Sequence, residues 1–418
     1  MPETPAMNAD PAHAPQARAA PWMLLALVGA FALSQAFRTV AAIMAPPLQA
    51  DFGLNARQLG VFSGAFHFAF GAMQLFMGIS IDLYGVRRTI LGAFPLCIAG
   101  ALISALAPGY LPLTLAQVLI GLGCAPAFLV CTVFIARHFA PQRFATVSGM
   151  AMSLGTLGML FTGTPLAWVI ERGSWRAGFW VLAALALLAW LWIWRSVFEP
   201  PPRAAAASVP AESPGQALGR FAALFLLPHT WGIVVLASTS YAALITLRGL
   251  WMGPMLVARH GYSLVQSGNV AVALSLLALF GPLLFGRLDP GPARRRRWLV
   301  GWTLASAALF ALLALGRLAW LDIACMLAIG LASGYIVLQY ADVRIAYAPQ
   351  MTGRAMAAFT MAMFMGVALM QWATGAIATW AADAGADPYT VVMGCIALWL
   401  ALSAAGFALL PQPRAPAP

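Results

Sequence analysis

Apolar stretches of roughly 20 or more residues recur along this chain from end to end, and that recurrence limits what it can fold into. A helix needs about 20 such residues to cross the hydrocarbon core of a bilayer. Twelve stretches reach that length, at roughly 22–47, 57–80, 88–107, 112–136, 144–169, 176–196, 230–257, 265–286, 298–316, 320–343, 355–380 and 388–410. With no water to satisfy backbone groups in hydrocarbon, such stretches must be helices. The expectation is an all-α membrane protein of twelve transmembrane helices, with both termini on one side.

Charge orients it. Arg57, Arg172, Arg176, Arg259 and Arg317 fall on the far side, and Arg38 and Arg248 lie within spans; the rest of the 23 basic residues, all arginine, share the side of the termini. The positive-inside rule makes that side cytoplasmic and the location a cell inner membrane. A net charge of +11 could suggest nucleic acid, but these cations are scattered over short loops, so the expected contacts are the lipid bilayer and no nucleic acid. With 62% hydrophobic and 8% charged residues, a soluble enzyme of this length is excluded. Cys97, Cys124, Cys131, Cys325 and Cys395 sit in apolar runs, so neither a disulfide framework nor a metal site is expected, and no cofactor is implied.

Between the sixth and seventh stretches, residues 197–229 carry Glu199-Pro-Pro-Pro202, an alanine run and Ser213-Pro-Gly215, a composition that cannot bury a core and reads as a cytoplasmic tether. The expected organisation is therefore a cytoplasmic tail at 1–21, a six-helix bundle at 22–196, the linker at 197–229, a second six-helix bundle at 230–410 and a tail at 411–418. An internal repeat at an offset of about 208 residues relates the halves. It pairs Asp82 and Arg87-Arg88 with Asp289 and Arg294-Arg295, Ile120-Gly-Leu122 with Ile329-Gly-Leu331, and Ala140-Pro-Gln142 with Ala348-Pro-Gln350. Pro46 matches Pro254 and Gln58 matches Gln266.

The loop Gly78-Ile-Ser-Ile-Asp82-Leu-Tyr-Gly85-Val-Arg87-Arg88 follows the second stretch, with Gly85 suited to a turn at positive φ and Asp82 to capping a helix or pairing with an arginine. The order Gly-x-x-x-Asp-x-x-Gly-x-Arg-Arg resembles the loop between helices 2 and 3 of major facilitator superfamily transporters. Gln117-Val-Leu-Ile-Gly121-Leu-Gly123 resembles that family's fourth-span motif, with Gln117 where many members have an arginine associated with proton coupling. The resemblance implies two pseudo-symmetric six-helix bundles, a monomer, and secondary active transport by alternating access. It also gives gating roles to Asp82, Arg87, Arg88, Arg137, Asp289, Asp342 and Arg344 at the cytoplasmic ends.

A guanidinium in mid-membrane costs at least about 2.5 kcal/mol, so Arg38 and Arg248, at similar depths in spans 1 and 7, need a reason. No acid is embedded deeply enough to neutralise them, and a fork of donors suits a carboxylate or phosphate. Paired arginines in these spans look like those of the organophosphate/phosphate antiporters and the related organic-anion transporters, which implies a small organic or phosphorylated anion as substrate. Gln35, Tyr241, Gln339, Tyr340 and Gln371 are candidate hydrogen-bonding partners for it. Arg38 precedes Pro46 by eight residues and Arg248 precedes Pro254 by six, a slip of about 200° on an ideal helix. The competing role for either arginine is to hold backbone carbonyls or cap a broken helix. His67 has two open roles, proton coupling or a hydrogen bond between helices. Other functions remain to be weighed: a proton-coupled exporter of drugs or other lipophilic compounds, against which two central positive charges argue, and a transporter-like sensor.

Overall fold

The computed structural model describes residues 14–140, 143–198, 219–316, 318–348 and 351–411, without the side chains at 14–19, 75, 82, 144 and 145. The distal tails, most of the expected linker, Arg317 and the Asp82 side chain lie outside the described residues, as do Pro141-Gln142 and Pro349-Gln350 of the repeat. The first half contains α1 (Ala14–Phe52), α2 (Ala56–Leu106), α3 (Tyr110–Cys124), α4 (Ala127–His138), α5 (Phe144–Phe161), α6 (Thr164–Arg172) and α7 (Trp175–Ser196). In the second half stand α8 (Pro228–Thr246), α9 (Met252–His260), α10 (Leu264–Arg287), α11 (Pro292–Leu315), α12 (Ala319–Ala332), α13 (Ile336–Ala346), α14 (Thr352–Asp383) and α15 (Pro388–Leu409). Among the described residues, 11 helical segments are long and apolar enough to cross a membrane. Large apolar side chains such as Trp168, Trp180, Leu188 and Leu402 stay exposed, as a lipid-facing surface requires.

The repeat is visible in local chemistry. Gly85 (φ 81°, ψ 172°) breaks α2 within the basic loop, and Gly291 (φ 80°, ψ 168°) precedes α11 in the same conformation, which side chains other than hydrogen rarely tolerate. The matched glutamines belong to matched capping boxes. Asn55 accepts from Gln58 N at 2.9 Å while its own N–H donates to Gln58 Oε1, and Ser263 and Gln266 do the same at the start of α10. One expected span is interrupted between α3 and α4 by Pro126, which lacks a donor; its counterpart is interrupted by a tight turn at Ser333–Tyr335 between α12 and α13.

Two expected boundaries shift. Helix α1 starts at Ala14, inside the stretch expected as tail. The end of the expected tether is helical, with Ala223–Leu226 in a 3₁₀ turn, and it buries Phe221 and Leu224 against Ile233, Leu236 and Phe285. Two apolar residues at i and i+3 suffice to dock one turn on a neighbouring core.

The hydrogen bonds between the halves fall into two levels. At the ends of the helices opposite the termini, Arg57 N donates to Thr379 Oγ1 at 2.9 Å, Val265 N to Glu171 Oε1 at 3.0 Å and Thr164 Oγ1 to Asn269 Oδ1 at 2.6 Å. Glycines let the backbones touch there: a Cβ on Gly60 would stand 2.4 Å from the Gln371 carbonyl oxygen, and one on Gly253 2.1 Å from that of Ala42. The second level is the polar centre.

Candidate functional site

Arg38, only 6% exposed, is placed between the halves by α1. Its Nη1 donates to Tyr241 Oη of α8 at 3.0 Å, and its guanidinium carbon lies 5.0 Å from the Phe70 ring centre and 4.7 Å from that of Phe364. Two ring faces hold the cation without neutralising it, a contact worth about 0.5 to 2 kcal/mol each. Its Nε has no partner among the described residues. His67 and Tyr340 face the same guanidinium, and Gln371 faces His67. The His67 Nδ1 bonds the Ser63 carbonyl at 3.1 Å, one turn back.

Several polar atoms around this centre are buried with no well-formed hydrogen bond among the described residues, although Gln371 stands beside His67: Gln35 Oε1, His67 Nε2 and both amide atoms of Gln371. An unsatisfied buried polar group costs about 1–3 kcal/mol, so a cluster of them suits a site that exchanges ligands. Donors, acceptors and one cation thus stand together at this centre without being fully paired by protein. Phe70 and Phe364 were not among the expected site residues. Helical spacing could have found them, since Phe70 follows His67 by one turn and Phe364 precedes Gln371 by two.

Arg248 meets a different set. Its Nε donates to Ser275 Oγ of α10 at 3.1 Å, and its Nη2 to the Met159 carbonyl at 2.9 Å and more weakly to Thr162 Oγ1 at 3.5 Å. The break between α5 and α6 explains the acceptor. Gly163 N bonds Leu160 O instead of continuing the α ladder, which frees the Met159 carbonyl. A π turn over Leu247–Trp251 adds a residue to the helix at the same point and turns Arg248 into this crevice. The two arginines expected to grip one group thus have separate hydrogen-bond partners, and Thr39 Oγ1 and Thr162 Oγ1, 2.7 Å apart, link their surroundings.

Tyr340 borders the Arg38 centre, and the other remaining candidates disperse. Gln339 is 3% exposed and lines a small cavity with Asp342, Val343 and Phe359 inside the second half, away from Arg38. Tyr340 bonds Met363 Sδ at 3.5 Å and packs on Phe359. Among the gating candidates, Arg87 donates to the Trp194 carbonyl at 2.9 Å, while Arg88, Arg137 and Arg344 are exposed. Asp289 accepts from Arg295 Nη2 at 2.6 Å, a bond that holds its carboxyl below the usual carboxylate range. Asp342 faces Arg295 and Arg296. The Asp289 and Asp342 pairings stay within the second half.

Two related halves of membrane helices, with a partly unsatisfied polar centre between them, are the construction of a membrane transporter. Residues 26–371 match the Major Facilitator Superfamily, and the chain belongs to that family. It is 25% identical over 250 residues to the hexuronate transporter of Bacillus subtilis (strain 168), a match covering 58% of each chain. It is 26% identical over 160 residues to the D-galactonate transporter of Escherichia coli O6:H1, covering 38% of this chain and 37% of that one. The chain thus aligns with well under two thirds of either relative. A bacterial homologue of the human lysosomal transporter Spinster, in an inward-facing and occupied conformation, superposes with a TM-score of 0.74 at 17% identity, covering 93% of this chain and 96% of that one, which shows the fold.

Proposed function

We propose that the protein is a secondary transporter of a small organic anion, of the hydroxylated carboxylate class to which hexuronate and galactonate belong. In this reading α2 counts as two spans divided at Gly85, giving twelve spans in two six-helix bundles, with both termini in the cytoplasm and the chain in an inner membrane as a monomer. The observation that carries the proposal is the Arg38 centre, a buried cation on two aromatic faces with unfilled donors and acceptors from Gln35, His67 and Gln371 around it. Arg38 takes the carboxylate; Tyr241, His67 and Gln371 take hydroxyls. Arg248 clips the halves together beside the site. Contacts between the halves at the ends opposite the termini support a conformation closed on that face. Hydroxyl recognition sets this reading apart from an exporter of lipophilic compounds, since a buried amide left unpaired penalises an apolar ligand.

Proteoliposome uptake tests it with labelled hexuronate, aldonate, sulfonate and phosphate-ester substrates beside a lipophilic cation. Saturable uptake of a sugar acid, competed by other sugar acids, is the expected outcome. Transport of the cation alone contradicts the proposal.

A further inference from the structure

A second cluster of charged side chains lies away from the Arg38 centre, where the ends of α9, α11, α12 and α15 meet opposite the termini. Asp322, fully buried, receives His260 Nε2 at 2.8 Å and Arg259 Nη1 at 3.4 Å on the same Oδ2. Arg259 also donates to Asp387 Oδ2 at 2.5 Å and, through Nη1, to the Leu313 and Gly316 carbonyls at the end of α11. The Asp387 carboxyl, though raised by burial, is held below the usual range by its bonds from Arg259, Thr390 and the Tyr389 N–H, so it is ionised at neutral pH. Asp322 Oδ1 has no partner, and a side chain on Gly316 would collide with it.

The internal repeat separates the structural part of this cluster from the rest. At the same place in the first half, Arg176 of α7 bonds Asp51 Oδ2 of α1 at 3.2 Å and the Ala107 carbonyl at the end of α2 at 3.2 Å. This is the same staple with its charges exchanged. At the offset of about 208 residues, acidic Asp51 falls at basic Arg259, basic Arg176 falls close to acidic Asp387, and the carbonyl of Ala107 falls between those of Leu313 and Gly316. The first half completes its staple with one acid and one base. His260 and Asp322 have no counterpart there, because the matching positions are Phe52 and Thr114. Joining the three matching ends, of α9, α11 and α15, needs only Arg259 and Asp387, so that staple does not account for them.

Their charges do. The titratable and charged groups facing Asp322 and His260 among the described residues are Arg259, Asp387, Tyr262, Tyr389 and Cys325. With the neutral imidazole, two carboxylates oppose one guanidinium, and the excess negative charge falls on a carboxylate with no exposure. With one proton on the His260–Asp322 pair the cluster is neutral, and the 2.8 Å contact becomes an ion pair with a charge-assisted hydrogen bond. A buried carboxylate that loses its neutralising proton keeps only the longer bond from an Arg259 already shared with Asp387, and gains from the water that opening the junction would admit. Helix α9 continues into the π turn, which carries Arg248, and through it into α8, which carries the Tyr241 partner of Arg38, so the junction and the anion site share one span.

We propose that His260 and Asp322 form a proton-binding site, separate from the anion site, that retains one exchangeable proton while the face opposite the termini is closed and releases it as that face opens. Its link to turnover rests on the transport reading above; the proton site itself does not. Acidity on that face then favours the closed conformation.

The experiment uses the full-length protein in lipid nanodiscs, with nitrogen NMR of labelled histidine rings from about pH 5 to 8, His260→Gln assigning the signal. The same preparations, reconstituted in proteoliposomes, report how anion uptake depends on pH at the face opposite the termini. The variant His260→Phe/Asp322→Thr copies the first half and guards against a misfolded single variant. The proposal expects His260 to change protonation within that range in wild type and to remain neutral in Asp322→Asn. It also expects a change in uptake of about tenfold across the range to shrink to less than twofold in His260→Gln and in the double variant, with anion affinity within twofold of wild type. A His260 ring fixed in one protonation state throughout, or a pH response retained by the double variant, overturns it. If wild type transports no anion, the transport reading fails while the ring titration still decides the proton site.

Discussion

Arg38 and Arg248, one residue type at similar depths, meet different partners. Arg38 has one hydrogen bond to protein and two aromatic faces, whereas Arg248 donates from Nε and Nη2 to two side chains and a carbonyl. Arg248→Gln should therefore leave anion affinity within about twofold while lowering transport turnover at least about tenfold, because it removes a strap between α5 and α10 and not a ligand contact. Binding calorimetry beside initial uptake rates separates the two; a loss of affinity matching the loss of rate would return Arg248 to the binding site. Depth in a hydrophobic run made both arginines legible as exceptional residues. Which role each takes was not legible, because it depends on a carbonyl released by Gly163 and on a π turn, neither of which hydropathy reports. Asp322 was overlooked for a related reason: two residues inside an apolar run, it looks like a span end facing water, and only the fold shows it fully buried against His260.

At the level of elements, the repeat extends to small features. The capping boxes of Asn55 and Ser263 follow from the matched Gln58 and Gln266, whereas the positive-φ glycines 85 and 291 stand two residues out of register and the paired helix interruptions fall at unlike residues, Pro126 and Gly334. The tether did not read so clearly, since an alanine-rich stretch gives little sign that Phe221 and Leu224 dock on the second half. Contacts between the halves depend on residues with no side chain: Gly60 lies against the Gln371 backbone and Gly375 against that of Ala56. Backbone cannot rotate aside, so Gly60→Val should hold α2 and α14 apart and keep that face open. Spin-label distances between Arg172→Cys and Ala384→Cys would lengthen by several ångströms relative to wild type; an unchanged distribution would mean that closure does not need this contact.

Across the whole molecule, the staples at the ends of each bundle, the glycine-lined closure and the Arg38 centre divide the labour that alternating access requires. Each half has its own staple, close glycine contacts line the surface between the halves, and the Arg38 charge stands where both halves meet. Anion recognition as proposed requires that charge to be available to a ligand. Its most direct test is calorimetric binding of a hexuronate to purified wild type and to Arg38→Lys, which keeps the charge but loses the planar fork and its stacking between Phe70 and Phe364. The account predicts saturable one-to-one binding by wild type and an affinity at least about tenfold weaker for the lysine variant, a difference of about 1.4 kcal/mol or more. Wild-type affinity in Arg38→Lys would contradict it.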